Sequence, residues 1–528
     1  MSEVELIIVG VLVAVAGLGA LASRISVPYP IVLVIGGAVF GFVPGVPDIV
    51  LEPDVVLVIF LPPLLYKAAI FANVGDFRVT IRSLTLSALV LVLATASAVA
   101  YVAHAVIPDL PWAAAFALGA IVSPTDPVAA TTVMRRLGVP RQLVSAIEGE
   151  GLFNDATALV VYRVAVGAAV TGAFSLWHAT LQFVLAASGG VAIGFVVGWL
   201  VCRVRMRVAD AQVSIVMSLL TGYAAYIPAE TVHASGVLAA VAAGLYMGIR
   251  APELLPSSLA RLQGGFVWDI VDFVVNAVLF VLVGLQLHAV VSGLTGESPL
   301  AVCGYAFAVT AVVVGVRLAW LFSVPYLIRV LDRRPSQQAR RVGAAERLVI
   351  GWSGMRGAVS LAVALALPLQ TDDGAPFPSR DLLIVLTFAV IFFTLVIQGL
   401  TLPAMIRRFD ISDDGADAND DARVRLIATK AALEEIDRLA DEPWPNDDTI
   451  ERMRGLYEFR KSRFAVRAGK REDDGLEDRS VAYQRVVRAV LHAQRTAIVH
   501  ARNRGDVSNE AMNRVMRDLD LEEVRLDA

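Results

Sequence analysis

Apolar stretches of about twenty residues recur along most of this chain, and they narrow its fold more than any other feature. A run of that length matches a bilayer core, where backbone can cross only as a helix or as part of a closed barrel. The stretches fall near residues 6–22, 27–43, 54–72, 83–106, 112–133, 143–170, 178–201, 211–227, 232–249, 266–290, 299–328, 347–369 and 382–405, bounded by Pro, Gly and charge. Composition agrees: 57% of the 528 residues are hydrophobic and 18% charged, against about 25% charged in soluble domains. Disorder, collagen and a disulfide-rich secreted fold are excluded on the same numbers. The expectation is an all-α polytopic membrane protein with 13 transmembrane helices.

Charge divides the chain. Of its 94 charged residues, 50 lie in the last 122. This predicts a transmembrane domain over 1–406 and a helical cytoplasmic domain over 407–528. The near-neutral balance argues against a nucleic-acid partner. Cys202 and Cys303 sit in apolar segments and form neither a disulfide framework nor a metal site by spacing. Met1-Ser2-Glu3-Val4-Glu5 is acidic where a signal peptide is basic, so 6–22 reads as the first span.

Alternate loops carry the basic residues: Arg24; Arg78 and Arg82; Arg135, Arg136 and Arg141; Arg203, Arg205 and Arg207; Arg250 and Arg261; Arg329 to Arg341. The opposite loops hold only Arg380. The positive-inside rule places the N-terminus outside and the tail in the cytoplasm of a multi-pass protein of the cell inner membrane. Thirteen spans parse as six, one and six, which suggests inverted six-helix repeats with a site near the midplane. Glycines every fourth residue, at 37, 41 and 45 and at 190, 194 and 198, predict close helix packing, with a dimer contact as the alternative.

Ionisable residues inside spans are costly and mark ion paths or buried pairs. The fifth span contains Ser123-Pro124-Thr125-Asp126-Pro127. Two prolines around an acid break the helix and offer carbonyl, hydroxyl and carboxylate oxygens, ligands that suit a small cation. The sixth runs Glu148-Gly149-Glu150-Gly151-Leu152-Phe153-Asn154-Asp155. Glu150 and Asp155 do not share a helix face and so expect different partners. Arg317 in the eleventh span and Arg356, in the glycine-broken twelfth, are the matching bases. Arg163 reads as structural. Asp269, Asp272 and Asn276 lie at helical spacing in the tenth span and suit either an ion funnel or a structural role. Glu230 and His233 sit at a span edge.

Four motifs, Leu61-Pro62-Pro63-Leu64-Leu65-Tyr66, Ser123–Pro127, Glu148–Asp155 and Gly354-Met355-Arg356-Gly357, resemble in sequence and order those of the sodium/proton exchanger family, in particular the bacterial branch of the monovalent cation:proton antiporters. The resemblance implies a homodimer in the lipid bilayer, with two discontinuous helices crossing beside the sixth span. It implies that Asp155 binds sodium or a proton in turn, that Asp126 and Thr125 help hold the ion, and that Asn154 supports the site. Glu150 would pair with Arg317, with Arg356 supporting the crossing. Glu148, one of three acids in eight residues of the sixth span, is read from the sequence as a further supporting acid. Two positions depart from the family pattern: Gly151 stands where many members have Ser, and Lys67 follows the Leu-Pro-Pro motif where some carry an acid.

The function expected is exchange of sodium or lithium for protons by alternating access, serving pH and sodium homeostasis, with no catalytic residue and no cofactor. Burial and like charge disfavour ionising Asp155 and Asp126 together, so proton and cation compete for one site. One titrating acid beside an asparagine predicts electroneutral, one-for-one exchange. A potassium/proton antiporter, a cation channel and a membrane sensor are the alternatives. In the tail, Asp410–Asp421 reads as an acidic linker and 423–440 as an amphipathic helix ended by Trp444-Pro445-Asn446. A long helix is expected over 480–503, with Tyr483, Val487, Val490, Leu491 and Ile498 on one face, and a short helix around 512–519.

Overall fold

The computed structural model describes the chain apart from residues 1–2, 26, 44–52, 73–85, 173–175, 255–257, 293–297, 332–341, 412–415, 473–474, 505–506 and 528. It divides into two compact units, Met1–Ser412 and Asp413–Ala528. Among the described residues both are helical, and the only β pairing is an isolated bridge between Gln370 and Pro376.

The first unit begins with α1 (Glu3–Ile25), α2 (Tyr29–Gly41) and α3 (Pro53–Ile70). A π turn at Leu86–Leu91 leads into α4 (Val92–Val106). Then come α5 (Trp112–Val122), α6 (Pro127–Arg136), α7 (Arg141–Thr171), α8 (Leu176–Arg205), α9 (Ala211–Thr231), α10 (Gly236–Leu254), α11 (Ser258–Ser292) and α12 (Pro299–Leu331). After α13 (Ala344–Trp352) and α14 (Ala358–Leu365), α15 (Arg380–Phe393) passes through a second π turn, Thr394–Gln398, into α16 (Gly399–Arg408). Among the described residues, eight helical stretches are long and apolar enough to cross a membrane. Four shorter apolar helices, at Gly10–Ile25, Tyr29–Gly41, Leu57–Ile70 and Gly236–Arg250, accompany them.

The glycine stripes are spent inside the protomer. Gly37 and Gly41 bring α2 against the α11 backbone at Val281, Gly284 and Leu285. Gly190, Gly194 and Gly198 do the same for α8 against α10 at Ser235, Ala239 and Ala243. Any side chain there would strike main-chain atoms, so close packing explains both stripes. Gly45 lies outside the described residues.

Two apolar segments are each split. The first stops at Val122 and restarts at Pro127, because Pro at the first helical position is preset for the turn and Asp126 caps it. The Asp126 carboxylate accepts from the Val128 N–H at 2.8 Å. The second stops at Trp352 and restarts at Ala358 across Ser353–Gly357. Both breaks are buried in the main core, which includes Leu118, Ile121, Val122, Met134, Val349 and Met355.

The second unit holds α17 (Ala416–Ala440), α18 (Asp447–Arg467), α19 (Leu476–Arg504) and α20 (Asn509–Asp527). The second half of the expected acidic linker, from Ala416 on, is therefore helix: α17 starts seven residues before position 423. Acids in a first turn complement the helix dipole, and Asp421 pairs with Arg425 one turn on at 2.7 Å. Asn446 both ends the chain break and caps α18, its side chain accepting from Asp448 N–H at 3.0 Å. Leu491 of α19 is buried, but Tyr483 and Val490 are more than half exposed, so the expected apolar face is covered only in part. Arg495 ties α19 to α20 through Asp520 (2.6 Å) and Glu523 (2.5 Å).

Candidate functional site

The two helix breaks meet backbone to backbone. Asp126 N–H donates to the Met355 carbonyl at 2.8 Å, joining the α5–α6 break to the α13–α14 break. Gly357 makes this approach possible, since a Cβ there would fall on the Asp126 carboxylate. The glycine is a steric requirement of the crossing, beyond its role in breaking the helix.

Each broken helix leaves carbonyls without intrahelical partners at its C-terminal end. Each receives an arginine. Arg356, 1% exposed, donates from Nε to the Val122 carbonyl at the end of α5 (3.0 Å) and also to the Gly354 carbonyl. Its own N–H is taken by the Thr394 hydroxyl at 3.0 Å. Arg317, from α12, donates to the Ile350 carbonyl near the end of α13 at 3.3 Å. A cation at a helix C-terminus also balances the dipole.

Arg317 simultaneously forms a buried ion pair with Glu150 of α7. Gly354 leaves room for it, because a Cβ there would strike the Arg317 side chain. Glu150 is thus occupied by a base, whereas among the described residues neither Asp126 nor Asp155 is in an ion pair. Asn154 reaches the other way: its Nδ2 donates to Thr125 Oγ1 at 3.1 Å and to the Thr125 carbonyl at 3.4 Å. Its Oδ1 accepts the Asp155 N–H. These bonds tie α7 to the first break and aim the amide.

Asp155 lines a small cavity walled by Pro124, Ala158, Val359, Ser360 and Val363. Asp126 is not part of that lining; its carboxylate is engaged at the start of α6. Gly151 does not simply lack a hydroxyl. A Cβ there would lie 2.8 Å from the Pro127 ring, so α7 and α6 are in close contact at this position.

The other ionisable residues are dispersed. Glu148 pairs with Arg135 at 2.6 Å at the exposed end of α6 and α7. Arg163 holds Glu230 through both carboxylate oxygens at 2.7 Å, and Glu230 also accepts the Gly236 N–H at 2.9 Å. His233 sits beyond α9 with a left-handed backbone, φ 58°. Lys67 meets Asp272 at 3.0 Å and Asp269 at 3.5 Å, and Asn276 Nδ2 donates to Asp272 Oδ1 at 3.0 Å. Three participants carry little sequence signal. The Met355 carbonyl has none by nature. Thr394 and Ser360 are single hydroxyl residues in apolar runs, of the kind that most often bond their own helix.

The family model described as sodium/hydrogen exchanger, transmembrane, matches residues 10–408. An uncharacterised Na+/H+ exchanger of Mycobacterium tuberculosis is 35% identical over 527 residues, covering 99% of this chain and 96% of that protein. A sodium, potassium, lithium and rubidium/H+ antiporter of Bacillus subtilis is 31% identical over 96% of this chain and 76% of its own length. The sodium proton antiporter MjNhaP1 of Methanocaldococcus jannaschii has the same fold, with a TM-score of 0.59 at 18% identity, over 77% of this chain and 99% of that one.

Proposed function

Since the chain belongs to the sodium/hydrogen exchanger family, we propose that it exchanges a monovalent cation for protons by alternating access, with Asp155 as the shared binding group. The observation that carries this reading is a carboxylate with no paired base among the described residues, lining a cavity beside two helix breaks that are themselves bonded together. A proton and a cation both neutralise Asp155, and only one can do so at a time. The loaded, neutral site then moves between the two faces of the membrane at lower cost than the bare carboxylate. Competition couples the two fluxes without covalent chemistry.

Asp126 and Thr125 contribute oxygens once the site is loaded, and Asn154 holds Thr125 in place. Glu150 and Arg317 cancel each other and take no part in the charge balance. One titrating acid then gives electroneutral exchange. The protein acts as a homodimer in the plasma membrane, N-terminus outside and C-terminal unit in the cytoplasm, in pH and sodium homeostasis.

Sodium and lithium are the first-choice substrates. The Bacillus subtilis relative supports a broader reading that includes potassium, since its name records four cations. Proton movement in inside-out vesicles on adding sodium, lithium or potassium, with Asp155→Asn alongside, tests the proposal. Cation-driven proton release that vanishes in the variant is expected, and the ranking names the ion. Flux that persists without a counter-gradient would make it a channel; no flux would make it a sensor.

A further inference from the structure

We propose that Lys67 is a tethered competitor for the transported cation, and that its hold on Asp272 sets the apparent cation affinity of exchange. The inference rests on the antiport reading above. The Lys67 ammonium crosses from α3 to α11, 3.0 Å from Asp272 Oδ2 and 3.5 Å from Asp269 Oδ1. Asn276 donates to the other Asp272 oxygen at 3.0 Å and to the Asp272 carbonyl at 2.9 Å, so that carboxylate is fixed. The side chains of Lys67 and Asp272 are about four-fifths buried, while that of Asp269 is 74% exposed. The cluster therefore runs from the interior of the helix bundle to its surface.

Its helix α11 also packs against α14, which walls the Asp155 cavity through Val359, Ser360 and Val363. Asp272 lies within electrostatic reach of Asp126, and Tyr29 within reach of both. Helix α14 is the second half of a broken helix, and α2 packs on both α11 and α6. Lys67 lies in the last turn of α3, and Asp272 lies 14 residues into α11, near the middle of that helix.

An ammonium group and a monovalent metal ion seek the same hard carboxylate oxygens. Lysine is a compact charge on a flexible stem, so it can yield its place. Two carboxylates and one ammonium leave a single net negative charge in this cluster; without the lysine there are two. Local cation concentration rises with that charge. An arriving cation must also displace an ammonium held nearby by its tether, which is equivalent to a high local concentration of competitor. Neither effect touches Asp155, so the influence falls on the apparent KM. A mere brace between α3 and α11 would instead change folded yield or maximal rate.

The test uses the full chain in inside-out vesicles, with sodium, lithium and potassium titrated at fixed pH and ionic strength. Lys67→Gln is expected to lower the apparent KM about two- to fivefold, the range of a partly exposed ion pair. Lys67→Arg is expected to raise it, since a guanidinium grips carboxylates in two places. Lys67→Gln combined with Asp272→Asn is expected to return KM to the unaltered protein's value or above. An unmoved KM in both single variants overturns the proposal, as does a rise in Lys67→Gln. If Lys67→Gln does not give a monodisperse protein, Lys67→Arg decides: a KM at or below that of the unaltered protein overturns it. Should the unaltered protein move no protons with any cation, the antiport reading fails and takes this inference with it. Exchange that proceeds with a KM indifferent to residue 67 refutes this inference alone.

Discussion

The Arg356 guanidinium donates from Nε to the carbonyl of Val122, 234 residues earlier in the chain, at 3.0 Å. One broken helix thereby supplies the charge that caps the other. Because the Arg356 guanidinium reaches two carbonyls at once, through Nε to Val122 and through a terminal nitrogen to Gly354, a single ammonium cannot reproduce its contacts, whereas the backbone N–H bond to Thr394 is kept by any residue but proline. Hydrogen bonds from a charged donor contribute about 1.5–3 kcal/mol each. Arg356→Gln should abolish exchange and lower the thermal midpoint in detergent. Arg356→Lys should recover part of the stability and little of the exchange. Equal exchange in Arg356→Lys and the unaltered protein would show that a point charge suffices.

Gly357 gives a sharper test of the crossing. A single methyl at this position would occupy the space of the Asp126 carboxylate. Overpacking of this kind costs about 1–3 kcal/mol, and here the displaced group belongs to the site. Gly357→Ala should reduce exchange at least about tenfold. Gly167→Ala, where nothing lies within 4 Å of the new Cβ, is the matched control and should leave exchange unchanged. Vesicle flux normalised to inserted protein makes the comparison.

Much of this arrangement is legible in the sequence, for a physical reason. Ionisable residues and prolines in apolar spans are rare enough to stand out, so Asp126, Glu150, Asp155, Arg317 and Arg356 are visible one by one. Their pairing is less legible. That Asp126 meets Met355 rests on a carbonyl, which every residue has. Thr394 and Ser360 look like ordinary hydroxyls in helices. The partner of Lys67 lies 205 residues away, and neither periodicity nor composition carries information over that distance. In the tail, exposed faces mislead: Tyr483 and Val490 fit an apolar stripe but are left uncovered in their unit. The early start of α17 follows from acids whose pairing with Arg425 is a local rule that composition alone obscures.

The Glu150–Arg317 pair separates structure from transport. Removing one partner of a buried pair leaves a bare charge and costs about 3–5 kcal/mol, whereas replacing both with apolar groups is often close to neutral. Arg317→Met and Glu150→Met should each lower the thermal midpoint markedly. The double variant should be more stable than either, though short of the unaltered protein because the Ile350 carbonyl loses its donor. It should also retain cation-dependent proton flux. A double variant that is stable yet inert would give Glu150 a part in the exchange itself.

Competition at one carboxylate fixes the sign of the pH dependence. Lowering pH fills Asp155 with protons and leaves fewer sites for the cation, so the apparent KM for the cation should rise as pH falls. Where the site is mostly protonated, the change approaches about tenfold per pH unit, because one proton is exchanged for one cation. At high pH the KM should level off. A KM that is flat through the acidic range, with maximal rate alone changing, would mean that the proton acts elsewhere than at the cation site.

Voltage tests the stoichiometry. Glu150 is neutralised by Arg317, and the neighbour of Asp155 in sequence is an amide, so one carboxylate carries the exchange. One proton for one monovalent cation moves no net charge. A second proton would couple the cycle to the membrane potential by about 2.3 kcal/mol per 100 mV, which is more than tenfold in the driving ratio. In liposomes clamped with potassium and an ionophore, sodium-driven proton flux at equal ion gradients should therefore be the same at zero and at about −100 mV. Acceleration with the sign of potential, or a measurable current on a supported membrane, would require a second titrating group. Asp126 would be the first to examine, because it is the other carboxylate of the site without a paired base among the described residues, and Asp126→Asn, which keeps one oxygen for the cation, should then remove the voltage dependence while exchange continues at a raised KM.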